Sequence, residues 1–248
     1  MFKKRSFWLV SGAIASVSLL FLLKSKQSSA LSKEAKEDSK EEINQEIDIL
    51  PPKVKSLNLI GDSQTKRHLG NAYRDVFGDF GIPVNFFGKE GATHSVYLKD
   101  RNLLSEIKAL GCADVIVIQL GDNGVSAKAQ DVLDFVSFVK TQCPTAQLYW
   151  AGPMKAVRPS IASSYVNTTD TSSPRYLSTY NDTRKIWDNR LKDALSQTDV
   201  QYISNFDLQE SQPLNSKFND RRKGDGIHLT KDSAYALASL MRAEILGK

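Results

Sequence analysis

One serine stands at a junction where its chemistry depends on partners from elsewhere in the chain. Ser63 lies in the stretch "NLIGDSQTKRHLG", residues 58 to 70, between an apolar run and a helical pattern. A serine in that place can cap a helix. It can also act as a nucleophile, provided that a general base and a site for a developing oxyanion are brought to it. The sequence therefore has to be searched for both.

The chain offers three histidines as candidate bases, His68, His94 and His228. His68 lies just over one turn into the helix that Ser63 opens, so we expect its side chain to point away from the hydroxyl. His94 is interpreted as a histidine of the cleft or the surface. His228 is the best candidate, because Asp225, three residues earlier in "KGDGIHLT", can accept the second ring N–H and orient the imidazole. Asp225 with the glycine after it is also typical of a plain turn.

Short apolar runs alternate with helical patterns from residue 54 onward. The predicted strands are 54–60, 83–87, 113–120, 146–152 and 200–206, and the predicted helices are 65–79, 98–110, 126–142, 177–197 and 230–246. This alternation predicts a three-layer α/β/α sandwich with a mainly parallel, five-stranded sheet. In such sheets, sites form beyond the carboxyl ends of the strands. The loops "GDS", "GKEGATHS" and "GDNG" should therefore meet at one edge.

Four fragments, in this order, resemble the motif blocks of the SGNH, or GDSL, hydrolase family. They are Gly61-Asp62-Ser63, Gly91 within "EGATHS", Gly121-Asp122-Asn123-Gly124, and Asp225 with His228. Each fragment is a weak signal alone, but their order and their places after the strands make a specific pattern. The resemblance covers residues 56 to about 245.

The resemblance implies a role for each matching residue. Ser63 would attack an acyl carbonyl, His228 would take and return its proton, and Asp225 would orient the imidazole. The oxyanion would be held by the backbone N–H groups of Ser63 and Gly91 and by the side-chain amide of Asn123. No metal ion and no cofactor is expected.

The sequence departs from the family pattern at two positions. The leucine that follows the serine in the family is Gln64 here, at a position that we do not expect the chemistry to use. The aspartate that follows the asparagine is Gly124, so a partner that braces this loop is missing. Asp122 is the candidate to replace that partner.

The N-terminal region predicts export of the domain. Residues 6–23 carry no charge and would span roughly 27 Å as a helix, close to the thickness of a bilayer core. We interpret residues 1–5 as a cytoplasmic tail, 6–23 as a transmembrane signal anchor, 24–53 as a disordered charged linker and 54–248 as an SGNH-hydrolase-like domain. The domain would face the periplasmic or extracytoplasmic side of the cytoplasmic membrane. The alternative is a signal peptide cleaved near "SSA", residues 28–30, which gives a secreted form.

An oxidising compartment permits a disulfide bond between the two cysteines, Cys112 and Cys143. They flank a predicted strand and its following helix, so both can reach the same edge of the sheet. A bridge would close a loop of about 30 residues, worth on the order of 3 kcal/mol. The alternative is two unrelated buried thiols.

Composition and loops limit the partners. The net charge of +5 is modest and there is no basic stripe with aromatic residues, which excludes a typical nucleic-acid protein. The segment 153–175 is long and polar, and its Arg158, Tyr165 and Arg175 are candidate substrate contacts. The basic run 221–223 either favours an anionic polymer or is a solvated cluster.

The sequence leaves several functions open. The first is an envelope esterase that removes O-acetyl or other small acyl groups from a cell-wall or exported polysaccharide. The rivals within the family are an enzyme of the lipase or thioesterase kind and an O-acyltransferase. A glycan-binding module with an idle site is the alternative from another class.

Overall fold

The computed structural model describes residues 54–123, 128–159, 164–213, 216–221 and 225–247. In this part of the chain, five parallel strands form one sheet in the order β2-β1-β3-β4-β5. The strands are β1 Leu57–Gly61, β2 Val84–Gly88, β3 Val115–Gln119, β4 Gln147–Ala151 and β5 Gln201–Ile203. The predicted anchor and linker lie outside the described residues, within which no helix is long and apolar enough to cross a bilayer.

Seven α-helices of the described residues surround this sheet. They are α1 Gly70–Gly78, α2 His94–Lys99, α3 Arg101–Ala109, α4 Ala129–Gln142, α5 Leu177–Leu195, α6 Asn205–Ser211 and α7 Lys231–Leu246. A π-helical segment, Thr65–Leu69, precedes α1, and a short 3-10 helix covers Lys217–Asn219. Thr230 caps α7 by accepting the Ser233 N–H at 3.2 Å, in agreement with its predicted capping role.

Alternate residues of the strands belong to two hydrophobic cores, one on each face of the sheet. Leu57 and Leu59 of β1 pack with α1 and α7 on one face. Ile60, together with Ile116 and Ile118 of β3, packs with α2, α3, α4 and α5 on the other. Because both faces are covered, the strands are nearly continuous apolar runs, as parallel sheets require. The predicted three-layer α/β/α sandwich is confirmed.

Two of the predicted segments are divided in the structure. The predicted helix 98–110 is two helices, because the Asp100 side chain caps a new start by accepting the Asn102 N–H at 2.9 Å. The predicted strand 200–206 ends at Ile203, since Ser204 caps helix α6 by accepting the Asp207 N–H. Capping side chains thus divide segments that a pattern of apolar residues alone joins.

Cys112 and Cys143 form a disulfide bond, with their Cα atoms 5.4 Å apart. Cys112 precedes β3 and Cys143 directly follows α4, so the antiparallel return of the helix brings the two together. The bridge ties the amino-terminal side of β3 to the helix that covers it. Of the two alternatives, the structure has the disulfide.

Candidate active site

The candidate nucleophile sits on a tight turn at the carboxyl end of β1. Gly61 ends the strand, and helical backbone begins at Ser63. The Lys66 N–H donates to the Asp62 carbonyl at 3.1 Å. Gly88, at the end of β2, makes room for this turn, because a Cβ atom there would lie 2.5 Å from the Lys66 nitrogen. Two neighbouring strands therefore end against the turn that carries Ser63.

The structure brings the three residues of the predicted triad together. The Ser63 Oγ lies 2.9 Å from His228 Nε2, and His228 Nδ1 lies 3.0 Å from Asp225 Oδ2. The other carboxylate oxygen of Asp225 accepts the backbone N–H groups of Ile227 and His228, both at 2.9 Å. All three side chains are more than 90% buried. Asp225 thus holds both the ring and the backbone of His228, which fixes the ring relative to its own loop.

The other two predicted oxyanion residues lie on neighbouring loops. Gly91 has a φ of +68°, a conformation that favours glycine, and the place of its missing Cβ is open. The side-chain nitrogen of Asn123 donates to Asp62 Oδ2 at 3.0 Å and more weakly to the Ala92 carbonyl at 3.4 Å. Asn123 therefore links the turn of Ser63 to the loop that contains Gly91. Gly124 lies outside the described residues.

Asp62 is a fully buried carboxyl group beside Ser63. It accepts the Gln64 N–H at 3.0 Å as well as the Asn123 amide. Loss of solvation by burial, with a smaller contribution from the Asp122 carboxylate, raises the pKa of Asp62 well above its ordinary value. Both Asp62 oxygens are occupied by donors that hold the site together, which assigns this side chain to the shape of the turn.

Asp122 forms a buried ion pair with Arg184 of α5. The two side chains meet at 2.8 Å and are 5% and 3% exposed. Arg184 also donates to the carbonyls of Asp122 and Met154 and to the hydroxyl of Tyr180. Since Asp122 accepts the Met154 N–H as well, it braces the loop after β3, the role for which it was the candidate. The one signal for Arg184 in the sequence is a charged residue within the helical stripe of Tyr180, Trp187 and Leu191.

Gln64, at a position that we do not expect the chemistry to use, has contacts that the sequence did not indicate. Gln64 is 3% exposed, and its side chain contacts the loop that carries His228. Its Oε1 accepts the Leu229 N–H at 3.1 Å, and its Nε2 donates to the Ile227 carbonyl at 3.3 Å. The residue next to Ser63 is therefore hydrogen bonded to both neighbours of His228.

The interpretation of His94 as a histidine of the cleft or the surface is wrong. His94 is 1% exposed, and its ring packs 6.1 Å from those of both Trp150 and Trp187. Burial lowers its pKa, partly offset by the charge of Asp131. Trp150 and Trp187 belong to the core. His94 is therefore a core residue.

The three candidate substrate contacts of segment 153–175 have different surroundings. Tyr165 is 49% exposed, and its ring meets the His228 ring edge to face at 6.1 Å. Arg158 lines an open cavity of about 540 Å³ together with Tyr176 and Asn181. Arg175 donates to the Ser164 carbonyl and so holds the segment itself. Of the three, Tyr165 lies against the site.

The basic run 221–223 is described only at Arg221, which is neither solvated nor free. Arg221 is 7% exposed and donates to the carbonyls of Phe218, Asp220 and Lys155. Burial lowers its pKa to about 10. The interpretation of the run as a solvated cluster is therefore wrong at Arg221.

Within the described residues, no group of acidic, histidine or cysteine side chains could hold a metal ion.

Solved structures share this fold at low sequence identity. Est24, a carbohydrate acetylesterase from Sinorhizobium meliloti, aligns with a TM-score of 0.55 and 15% identity over 78% of this chain and 99% of that one. A catalytic mutant of Axe2, an acetylxylan esterase from Geobacillus stearothermophilus, gives 0.53 and 12% over 78% and 94%. A candidate GDSL-like lipase from Parabacteroides merdae gives 0.51 and 13% over 77% and 95%. Neither a family model nor a curated protein matches the sequence.

These likenesses confirm the fold that the four sequence fragments predicted. The described domain has the fold of the SGNH, or GDSL, hydrolases, with esterases and lipases among its structural neighbours. At identities of 12–15%, they show the fold alone.

Proposed function

We propose that the protein is a serine carboxylic ester hydrolase that removes O-acetyl groups from an envelope or exported polysaccharide. One observation carries the proposal of an esterase: Ser63, His228 and Asp225 form a continuous chain of hydrogen bonds of 2.9 and 3.0 Å. Two catalytic mutants of Axe2 support the roles of the last two, because they replace an aspartate and a histidine that lie three residues apart, as Asp225 and His228 do.

The reaction follows from the positions of these groups. As the Ser63 Oγ bonds to the acyl carbon, His228 Nε2 takes the hydroxyl proton, and Asp225 stabilises the imidazolium that forms. His228 then gives the proton to the alcohol oxygen of the leaving sugar, and an acyl-serine remains. Water, deprotonated by His228, attacks this ester, and the carboxylic acid leaves as Ser63 recovers its proton.

Three donors are proposed for the charge on the tetrahedral oxygen. They are the N–H groups of Ser63 and Gly91 and one hydrogen of the Asn123 amide. Because Asn123 keeps its shorter bond to Asp62, the hydrogen directed at the Ala92 carbonyl, 3.4 Å away, is the one available to an oxyanion. Loss of one such donor typically costs about a hundredfold or more in rate.

An acetylated glycan is the proposed substrate for two reasons. Est24 is a carbohydrate acetylesterase and Axe2 an acetylxylan esterase. In addition, the half-exposed Tyr165 ring beside His228 offers an aromatic face next to the scissile ester. We further propose that residues 6–23 anchor the chain in the cytoplasmic membrane, with the domain on the extracytoplasmic side, where such polysaccharides lie.

Turnover of p-nitrophenyl acetate tests the enzyme class. The parent protein should hydrolyse it, and Ser63→Ala should abolish the activity without changing the folded state, whereas Ser95→Ala, a serine outside the triad, should keep it. A parent protein without turnover on any ester would favour the glycan-binding module. Preference for long acyl chains would point to a lipase-like or thioesterase-like enzyme, and product formed only with a sugar acceptor would reveal an acyltransferase.

Acetate release from acetylated polysaccharides tests the substrate. Replacing Tyr165 by Ala should raise KM for an acetylated oligosaccharide, by up to about tenfold if a stacking contact of about 0.5 to 1.5 kcal/mol is lost. The same change should leave p-nitrophenyl acetate turnover nearly unaltered, and Tyr165→Phe should retain the ring contact. Equal effects on both substrates would remove the argument for a sugar at this ring.

A further inference from the structure

We propose that Gln64 is a positioning residue, whose side-chain amide sets the place of the His228 backbone relative to Ser63. The proposal rests on the ester hydrolase function proposed above. It starts from an unusual connection: the residue covalently next to the nucleophile is hydrogen bonded to the residues on both sides of the base. The Ser63–His228 pair also joins these two segments.

The amide of Gln64 contacts the backbone on both sides of His228. Its nitrogen donates to the Ile227 carbonyl at 3.3 Å, and its oxygen accepts the Leu229 N–H at 3.1 Å. His228 lies between them, so its Cα is held from this side.

Asp225 holds the same stretch through different groups. It accepts the N–H groups of Ile227 and His228 and contacts the ring nitrogen Nδ1 of His228. Asp225 belongs to the loop of the base, however, and moves with it. Gln64 belongs to the turn of the nucleophile. Gln64 is therefore the contact that fixes one segment against the other.

The orientation of the Gln64 amide follows from its partners. The Leu229 N–H can only donate, so it requires the oxygen of the amide, and the Ile227 carbonyl requires the nitrogen. The second hydrogen of that nitrogen is directed at Asp122 Oδ2, 3.4 Å away. Since both donors and the acceptor are used and the side chain is 3% exposed, the amide has no equivalent second position.

The backbone that follows Ser63 and Gln64 is irregular. A π-helical segment, Thr65–Leu69, follows Gln64 directly, and π-helical turns are less regular and often found at functional sites. The helix that carries the nucleophile thus begins irregularly, and the side chain of Gln64 links this irregular start to the loop of His228. A displacement of about 1 Å between the two would lower the rate by about a hundredfold.

The experiment compares two buried glutamines. Gln64→Met keeps length and removes the amide, and Gln119→Met is the matched control at the end of β3. Gln119 is 2% exposed and is bonded to the Gly152 carbonyl and to Asn205, both at 3.3 Å, without contact to the loop of His228. Both proteins are measured as full chains for thermal stability and for kcat and KM with p-nitrophenyl acetate.

A second measurement does not depend on turnover. The proton that His228 Nδ1 shares with Asp225 gives a low-field proton NMR signal, whose position and exchange broadening report how well the ring is held. We expect Gln64→Met to lower kcat about a hundredfold with KM changed less than about threefold, and to broaden or shift this signal. Gln119→Met should lose a similar amount of stability and keep both kcat and the signal.

Several results would overturn the proposal. An unchanged signal and kcat in Gln64→Met would do so, and so would equal losses of kcat in the two variants, which would mean general destabilisation. If Gln64→Met does not fold, Gln64→Asn, which keeps an amide too short to reach both partners, replaces it with the same expectations. If the parent protein hydrolyses no ester, the proposed function fails by itself, and the His228 signal still decides the role of Gln64.

Discussion

Removing the Cys112–Cys143 disulfide should lower stability by an amount that follows from the chain it closes. The two cysteines are 31 residues apart in sequence. In the chain-entropy model, a closed loop of that size reduces the entropy of the unfolded chain by about 12 cal/mol/K, or about 3.7 kcal/mol at 25 °C. A domain of this size has a urea m-value near 2 kcal/mol/M, so the midpoint should fall by about 1.8 M.

The assay is urea unfolding of the parent protein and of Cys112→Ser/Cys143→Ala, each with and without dithiothreitol. Serine suits the exposed position 112, and alanine suits Cys143, which is 5% exposed and packs in the core. Reductant should bring the parent close to the variant and leave the variant unchanged. A midpoint shift below about 0.5 M would refute the reasoning, because the unfolded chain would then gain little freedom from losing the bridge.

Two further perturbations test buried charges. Arg184→Met should lower the free energy of unfolding by about 3 to 5 kcal/mol, because it leaves the Asp122 carboxylate buried without its partner. Asp122→Asn in the same chain should recover part of this loss. A double-mutant cycle in urea measures the coupling, and additive effects would contradict it. Burial lowers the pKa of His94, so the unfolded chain binds a proton on this ring more readily than the folded chain does. The resulting loss of folding stability is absent above about pH 6.5 and grows below it, by up to about 1.4 kcal/mol per pH unit. His94→Phe should flatten this part of the stability curve, and equal losses in both proteins between about pH 7.5 and 5 would exclude His94 as the source.

The parallel sheet and the meeting of Ser63 with His228 at its edge could be predicted, because the strands and the loops after them are marked by local patterns. Apolar runs alternate with helical patterns, which defines a parallel sheet, and the carboxyl ends of parallel strands share an edge. Asp225 and His228 are three residues apart, so their contact is local. The prediction of the triad therefore required one long-range side-chain contact, the one between residues 63 and 228.

The residues that were missed or misjudged act through long-range contacts of polar groups in the interior. Gln64 contacts residues 227 and 229, and Arg184 contacts Asp122. In each case the two partners are more than 60 residues apart in sequence. His94 is buried by two tryptophans that come from β4 and α5. A polar residue gives the same local pattern on the surface as in the core, and only its distant partners distinguish the two.

The separation of Ser63 and His228 along the chain has a consequence for the proposed esterase. Ser63 and His228 are 165 residues apart, and α7, which follows the histidine, packs with α1 in one core. A growing chain contains the serine long before it contains the imidazole. If the proposed function holds, a ribosome-bound or carboxy-terminally shortened protein is an inert alcohol, and ester cleavage requires the completed chain with its last helix docked.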